Sequence, residues 1–238
     1  MQNQEGTPQG GSISPLLSNI YLHYALDLWV EQWRKRNAHG DVIIVRFAYD
    51  FVMGFQNKVE AERFLHELKE RFGKFNLSLQ PEKTRLIEFG RYAAARRRAR
   101  GEGKPEAFDF LGFTHLCDRT HKGSKFIVLR QTIRKRMQAK LKEIKEELRQ
   151  RMNASVPETG KWLRSVVSGY YRYYAVPRNL PAMKSFYREI MRLWHAALQR
   201  RSQKAKVDWK RMYKIVNRWL PVPRITHPYP EHRFGVTT

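Results

Sequence analysis

Positive charge in this chain is segregated. Residues 1–90 carry 11 Lys or Arg against 11 Asp or Glu, and residues 91–238 carry 35 against 11, so the whole net charge of +24 lies in the second part. A segment with that excess cannot place its cations in a core. It must carry them on its surface, where a polyanion is the natural counterpart, and nucleic acid is the first partner to consider. The first part has no such restriction. With 42% hydrophobic and 13% aromatic residues overall, the 238-residue chain can build a real core rather than remain disordered. An ordinary metabolic enzyme is a poor first reading. The single cysteine, Cys117, excludes an internal disulfide and a cysteine-clustered zinc site. No run approaches the length of a membrane span, and no basic-then-apolar leader opens the sequence. A cytoplasmic protein with no membrane partner is expected, with Mg²⁺ the one metal to weigh.

Element signals divide the chain in the same way. Residues 1–15 read as a loop, and Ser14-Pro15 opens a helix, with Ser14 as N-cap and Pro15 at its first position. Leu16, Ile20, Tyr24, Leu28 and Trp29 recur at helical spacing to about Arg36. Residues 42–47 and 51–55 are β-prone and close enough for a hairpin tipped by Ala48-Tyr49-Asp50. Residues 58–75 return to a helix with Phe64, Leu65, Leu68 and Phe72 on one face, and Leu77 to Phe89 reads as a strand region interrupted by Gln80-Pro81. The run from Arg91 to Lys104 reads as a mobile basic loop. Residues 108–114 and 125–129 look like short paired strands. From about Thr132 the period is helical to Arg224, with breaks near Ser155-Val156-Pro157, Val176-Pro177 and Pro221. The expected fold class is α+β: a mixed part over 1–130, carrying the basic loop near 91–104, and an all-helical basic part over 131–238.

An acidic residue on a β-hairpin is weak evidence alone, since Asp is a common turn residue. Its neighbours sharpen it. Residues 6–22, Gly-Thr-Pro-Gln-Gly-Gly-Ser-Ile-Ser-Pro-Leu-Leu-Ser-Asn-Ile-Tyr-Leu, together with Arg46-Phe47-Ala48-Tyr49-Asp50-Phe51-Val52, resemble the palm motifs of bacterial group II intron reverse transcriptase/maturase proteins. Leu77 to Thr84 and Phe110-Leu111-Gly112-Phe113 are similar to the next two motifs of that family. Gly169 to Tyr174, Leu198 to Lys204 and His227 to Pro230 resemble its thumb, or maturase, region. The resemblance runs over nearly all of the chain.

It implies a partial reverse-transcriptase palm followed by a helical thumb. It also implies roles: Gln9, Gly10, Gly11 and Lys83 toward the incoming nucleotide and template, and Phe110, Leu111, Gly112 and Phe113 as the primer grip. In the intact family, hairpin carboxylates hold Mg²⁺ for nucleotidyl transfer, which needs several hard oxygen ligands. Here the family's first hairpin aspartate is Tyr49, and only Asp50 remains. The family's upstream metal-bearing strand precedes the Gly-Thr-Pro-Gln segment, and this chain starts five residues before that segment, so an N-terminally shortened protein is expected. A phenol with pKa near 10 is a poor Mg²⁺ ligand. Asp50 is therefore expected as a vestigial, weak metal ligand, with no productive Mg²⁺ and no polymerisation by this chain alone.

Each residue also has a plainer role open to it. Gly10-Gly11 can be simple loop, Lys83 a solvated side chain, and Phe110 and Phe113 core. Tyr170 to Tyr174 cannot all face one core at 100° per residue, so some are exposed beside Arg172. Exposed Tyr and Arg suit RNA. Arg134, Lys135, Arg136, Lys140, Lys142 and Lys145 form a cationic side that Glu143, Glu146 and Glu147 dilute by intrahelical pairing. Arg200, Arg201, Lys204, Lys206, Lys210, Arg211, Lys214 and Arg218 are barely diluted, with Asp208 the lone acid among them, and this cluster is the strongest candidate for phosphate binding. Arg200, Arg201, Lys204, Lys210 and Arg211, with Arg96, Arg97, Arg98 and Arg172, are the expected RNA contacts. Trp162, Trp194, Trp209 and Trp219 read as bundle packing. The expected partner is structured group II intron RNA, with target DNA or an RNA/DNA hybrid and a separate N-terminal reverse-transcriptase fragment as further candidates. An active polymerase completed by such a fragment, and an unstable remnant that binds polyanions generically, are the competing readings.

Overall fold

A computed structural model of the protein describes residues 13–120, 125–201 and 207–229. The chain divides into two compact units, Met1–Glu88 and Phe89–Thr238. The secondary structure is mixed, with long helices and two small antiparallel sheets.

In the first unit, α1 (Ser14–Leu22) runs through a π-helical turn (His23–Asp27) into α2 (Leu28–Asn37). Two strands follow, β1 (Val42–Phe47) and β2 (Asp50–Phe55), and then α3 (Lys58–Gly73). The core is the face shared by Leu26, Val30, Trp33, Val42, Phe64, Leu68 and Phe72, with Ile44, Phe51, Met53 and Phe55 against it. Trp33 meets Phe64 edge to face at 5.0 Å and donates its indole N–H to Glu67 Oε2 at 2.6 Å. Three expectations for this unit need correction. Ser14 is not the N-cap: it is the first helical residue, and no side chain caps α1. The stripe Leu16, Ile20, Tyr24 and Leu28 faces solvent, while Ala25, Leu26, Val30 and Trp33 are buried. The π turn inserts an extra residue per turn and so rotates the apolar face away from a regular 3.6 spacing. Finally, Leu77 to Phe89 forms no strand among the described residues. A strand needs a ladder partner, and this stretch instead makes a turn over Gln80–Thr84 and sends Leu77 and Leu79 onto the core.

The second unit opens with α4 (Ala93–Ala99), where a mobile loop was expected. Alanines favour helix, and Arg97 is neutralised by Glu102 Oε2 at 3.4 Å and Glu106 Oε1 at 4.0 Å. Three strands follow in the order β3 (Phe108–Phe110), β4 (Phe113–Arg119) and β5 (Phe126–Thr132), all antiparallel. The expected strand over 108–114 is thus itself a hairpin, turning at Leu111-Gly112. Four helices follow among the described residues: α5 (Arg134–Gln150), α6 (Val156–Tyr174), α7 (Leu180–Gln199) and α8 (Trp209–Trp219). The breaks before α6 and α7 and after α8 fall at the expected places, but the interruption between Gln199 and Trp209 was not expected, and α8 stops at Trp219 rather than Arg224. Ser155 and Glu158 form a capping box at the start of α6, with Pro157 in its first turn. Ile144, Leu163, Val167, Phe186, Ile190, Trp194, Met212 and Val216 fill the bundle core. Strands β3–β5 are tied to these helices, which is why the compact division falls at Glu88 rather than near 130. Asn179 Oδ1 accepts from Thr132 N at 3.0 Å, and Ile133 N donates to Gly112 O at 3.1 Å.

Two close fits in this unit give measurable consequences. A Cβ at Gly160 would lie 2.5 Å from Trp219 Cγ, so α6 and α8 meet only because no side chain stands there. Gly160→Ala is expected to lower stability by about 1–3 kcal/mol in denaturant titration, and a Trp219→Leu background should reduce that loss. His115 lies flat on Phe108 at 4.8 Å, across the ladder from Arg130. Burial, reinforced by the Arg130 charge, pushes its imidazole below the ordinary value of 6.5. The unfolded chain therefore takes up this proton first as pH falls. His115 thus costs stability progressively below about pH 6.5, until its folded-state pKa is passed. The drop in melting temperature between pH 7.5 and 5.5 should shrink in His115→Gln.

Candidate functional site

The first site element is the β1–β2 hairpin. Its register pairs Phe47 with Asp50, so the turn is only Ala48-Tyr49 and Asp50 is the first residue of β2 rather than part of the tip. Ala48 takes a left-handed conformation, φ 52°, which an alanine adopts only under constraint. Arg46 supplies that constraint. One of its guanidinium nitrogens donates to Ala48 O at 2.8 Å and to Asn19 Oδ1 at 2.9 Å, while Nε and the other nitrogen grip both Asp27 oxygens at 2.8 and 2.6 Å. The hairpin turn is thereby fastened to α1 and to the π turn by one half-buried side chain. Sequence reading passed over Arg46, although an arginine inside Val42-Ile43-Ile44-Val45 and Phe47 was the available signal.

The residues of this hairpin do not fit a two-Mg²⁺ centre. Asp50 offers one exposed carboxylate, and Tyr49, 77% exposed, offers a phenol. Both oxygens of Asp27 are already engaged by Arg46. Among the described residues, no group of three or more His, Cys, Asp or Glu is arranged to hold a metal ion. Lys83 is exposed in the Gln80–Thr84 turn, whereas Gln9, Gly10 and Gly11 lie outside the described residues.

The second element is the β3–β4 turn. Leu111 and Gly112 both have positive φ, 47° and 80°, the pattern of a two-residue hairpin turn whose twist suits its strands. Gly112 is required twice: for its φ and for space, since a Cβ would lie 3.1 Å from Tyr174 Oη and 3.4 Å from an Arg136 guanidinium nitrogen. Tyr173 donates to Leu111 O at 2.7 Å, and its ring stacks on Phe113 with centroids 5.7 Å apart. The turn therefore meets the start of α5, with exposed Arg134, Lys135 and Arg136, and the end of α6, with exposed Arg172 and Tyr173. Tyr170 and Tyr171 are buried instead, and burial raises both phenols well above their ordinary range. Of the tyrosine run, Tyr173 is thus the one the structure leaves exposed, while Tyr174 is half-buried.

The remaining cations separate into two groups. Arg96 and Arg98 are exposed on α4, while Arg97 is half-buried and also donates to Gly103 O at 3.1 Å. Arg200 is exposed after α7. Arg201 is half-buried and reaches Arg151 O at 3.4 Å. Lys210 and Arg211 are exposed on α8, and Lys204 lies outside the described residues. On α5 the expected intrahelical pairing is present at Lys140 and Glu143, 2.6 Å apart. Trp162, Trp194 and Trp219 pack in or against the core as expected, but Trp209 does not: 45% of it is exposed.

A match to known proteins covers the first of these elements and reaches the second. Residues 1–115 match the family model described as reverse transcriptase (RNA-dependent DNA polymerase). No curated protein matches the chain. The matched segment takes in the whole first unit and ends inside β4, just past the Leu111-Gly112 turn. The first 115 residues are thus similar to a reverse-transcriptase domain, and the helical cationic part lies beyond the match. No helix among the described residues is long and apolar enough to cross a membrane.

The Arg46 fork has a direct test. Arg46→Ala would leave the Asp27 carboxylate half-buried without its partner and release the Ala48 carbonyl. With charged hydrogen bonds of this partly exposed kind, a loss of about 2 kcal/mol is expected in the unfolding of the first unit. Arg46→Lys should recover little of it, because an ammonium cannot make the two-pronged contact.

Proposed function

We propose that this chain acts as the RNA-binding part of a bacterial group II intron reverse transcriptase/maturase, and that it holds structured intron RNA for splicing without polymerising nucleotides itself. The observation that carries the reading is the contrast between its two site elements. The reverse-transcriptase-like hairpin keeps one exposed carboxylate beside Tyr49, while the second unit presents exposed cations on α5 and α8 and around a braced, glycine-dependent turn. A carboxylate supplied from elsewhere would not replace the one absent at Tyr49. RNA binding needs no such carboxylates. Phosphate neutralisation by Lys and Arg, with tyrosine and arginine planes beside it, is sufficient. An RNA/DNA hybrid or target DNA carries the same phosphate charge and is a further ligand of this surface. A cytoplasmic setting goes with this reading.

A second reading has its own support. Ile43, Val45 and Phe47 stand exposed on the outer face of β1, and Leu16 and Ile20 on α1. Exposed apolar residues of this kind suit a further polypeptide, such as a separate N-terminal reverse-transcriptase fragment that completes an active enzyme.

Two assays on the purified chain test the first reading. Primer extension on an RNA template with Mg²⁺ should give no product from the chain as it stands. Product would overturn the proposal and favour a working polymerase. Filter binding over a salt series should show tighter retention of a group II intron RNA than of an unrelated RNA of equal length. Affinity should fall linearly in a log–log plot against salt. Equal retention of both RNAs would mean generic polyanion binding in place of a maturase role.

A further inference from the structure

Helix α8 buries Met212 and Val216 and exposes Lys210, Arg211, Lys214 and Arg218. The one acid in residues 207–220, Asp208, is occupied as the helix cap and accepts from Arg211 N at 2.8 Å. Among these cations stand two aromatic side chains one helical turn apart. Trp209 is 45% exposed and Tyr213 52%, with ring centroids 6.2 Å apart. The inner face of Trp209 lies on the imidazole of His195 in α7, 4.2 Å between centroids and 25° between planes. That imidazole is itself held, with Nε2 2.7 Å from Val207 O, and Gln199 donates to the same carbonyl at 2.7 Å. The indole is therefore braced from below, with its outer face in water. Folding alone gives little reason for this, because an indole gains most from complete burial.

We propose that Trp209 and Tyr213 form a base-stacking platform for single-stranded RNA, with Lys210, Arg211, Lys214 and Arg218 holding the flanking phosphates. The proposal rests on the RNA-binding reading and adds which part of the RNA this helix takes. Unpaired bases offer free π faces to aromatic rings, while cations track the backbone. Paired bases within a duplex do not. The row of cations, undiluted by any acid other than the capping Asp208, favours a polyanion over a protein partner for the same surface.

The test is fluorescence anisotropy with the full chain, using a short unstructured RNA and the same RNA made abasic, over a salt series. Trp209→Ala and Tyr213→Ala should each weaken the intact RNA by roughly 5- to 150-fold, the range found for loss of one base–aromatic stack. Binding of the abasic RNA and the salt slope should stay as they were. Lys210→Ala with Lys214→Ala should lower the slope for both RNAs, and Trp209→Phe should keep most of the preference for bases. Tyr213→Ala alters a ring that is half in water, so it keeps the test valid if Trp209→Ala unfolds on melting. Equal losses on intact and abasic RNA in Tyr213→Ala would overturn the platform. So would an unmodified chain that binds the two RNAs equally, although salt-dependent binding would then leave the broader RNA reading standing. Failure to bind either RNA would overturn the platform, while retention of the intron RNA in the filter assay decides the broader reading separately.

Discussion

One buried amide holds the second unit in its arrangement. Asn179, 1% exposed, accepts from Thr132 N and donates to Thr132 Oγ1 and Tyr174 O, each at 2.8–3.0 Å. A buried amide without these partners would cost more than the bonds return, so the geometry is strongly specified. It joins the end of β5 to the end of α6, and Arg178 beside it is held at φ 70°. The rest follows from that joint. Chain leaving β5 enters α5 through Ile133, whose N–H takes the Gly112 carbonyl, and the end of α6 brings Tyr173 onto Leu111. The turn at Leu111-Gly112 is thus placed by packing on both sides, which is what a surface that must meet a ligand in one geometry requires.

The cations of this chain serve two different ends. Arg46, Arg97 and Arg151 are structural: each is half-buried and engages an acid, with Arg151 at 2.7 Å from Glu147 and its guanidinium over the Trp162 ring. Such contacts resemble those of any folded domain. The cations on α8, and those at the start of α5, are instead displayed on faces where acids are scarce or already used. Their mutual repulsion opposes folding, and binding of a polyanion would relieve it. Charge that weakens the isolated protein is the same charge on which the proposed RNA binding rests.

The hairpin illustrates how chemistry and fold come apart. Its turn is determined by the Phe47–Asp50 register, the left-handed Ala48 and the Arg46 fork. Position 49 contributes only an exposed side chain, so a tyrosine sits there without disturbing the hairpin. A metal centre, in contrast, depends on the oxygen atoms at that one position. A hairpin of this kind can therefore form with a tyrosine at position 49.

What the sequence determined by itself was much of what local patterns control. Helices α3 and α5–α7 follow from apolar spacing, and the starts of α6 and α7 follow from the Ser155–Glu158 box and from prolines in their first turns, because period and capping act within a few residues. The charge division and the substitution at Tyr49 are equally plain in one dimension. Tertiary structure alone decided which apolar or basic faces would be covered. The stripe through Leu16 and Ile20 has a helical period yet faces water, Arg97 left a basic run to pair with Glu102, and Trp209 came to lie half-exposed on His195. Leu77 to Phe89 had the composition of a strand and no ladder to join. Periodicity states which residues share a face. Whether another element arrives to bury that face depends on contacts between residues far apart in the chain, and only the assembled fold supplies them.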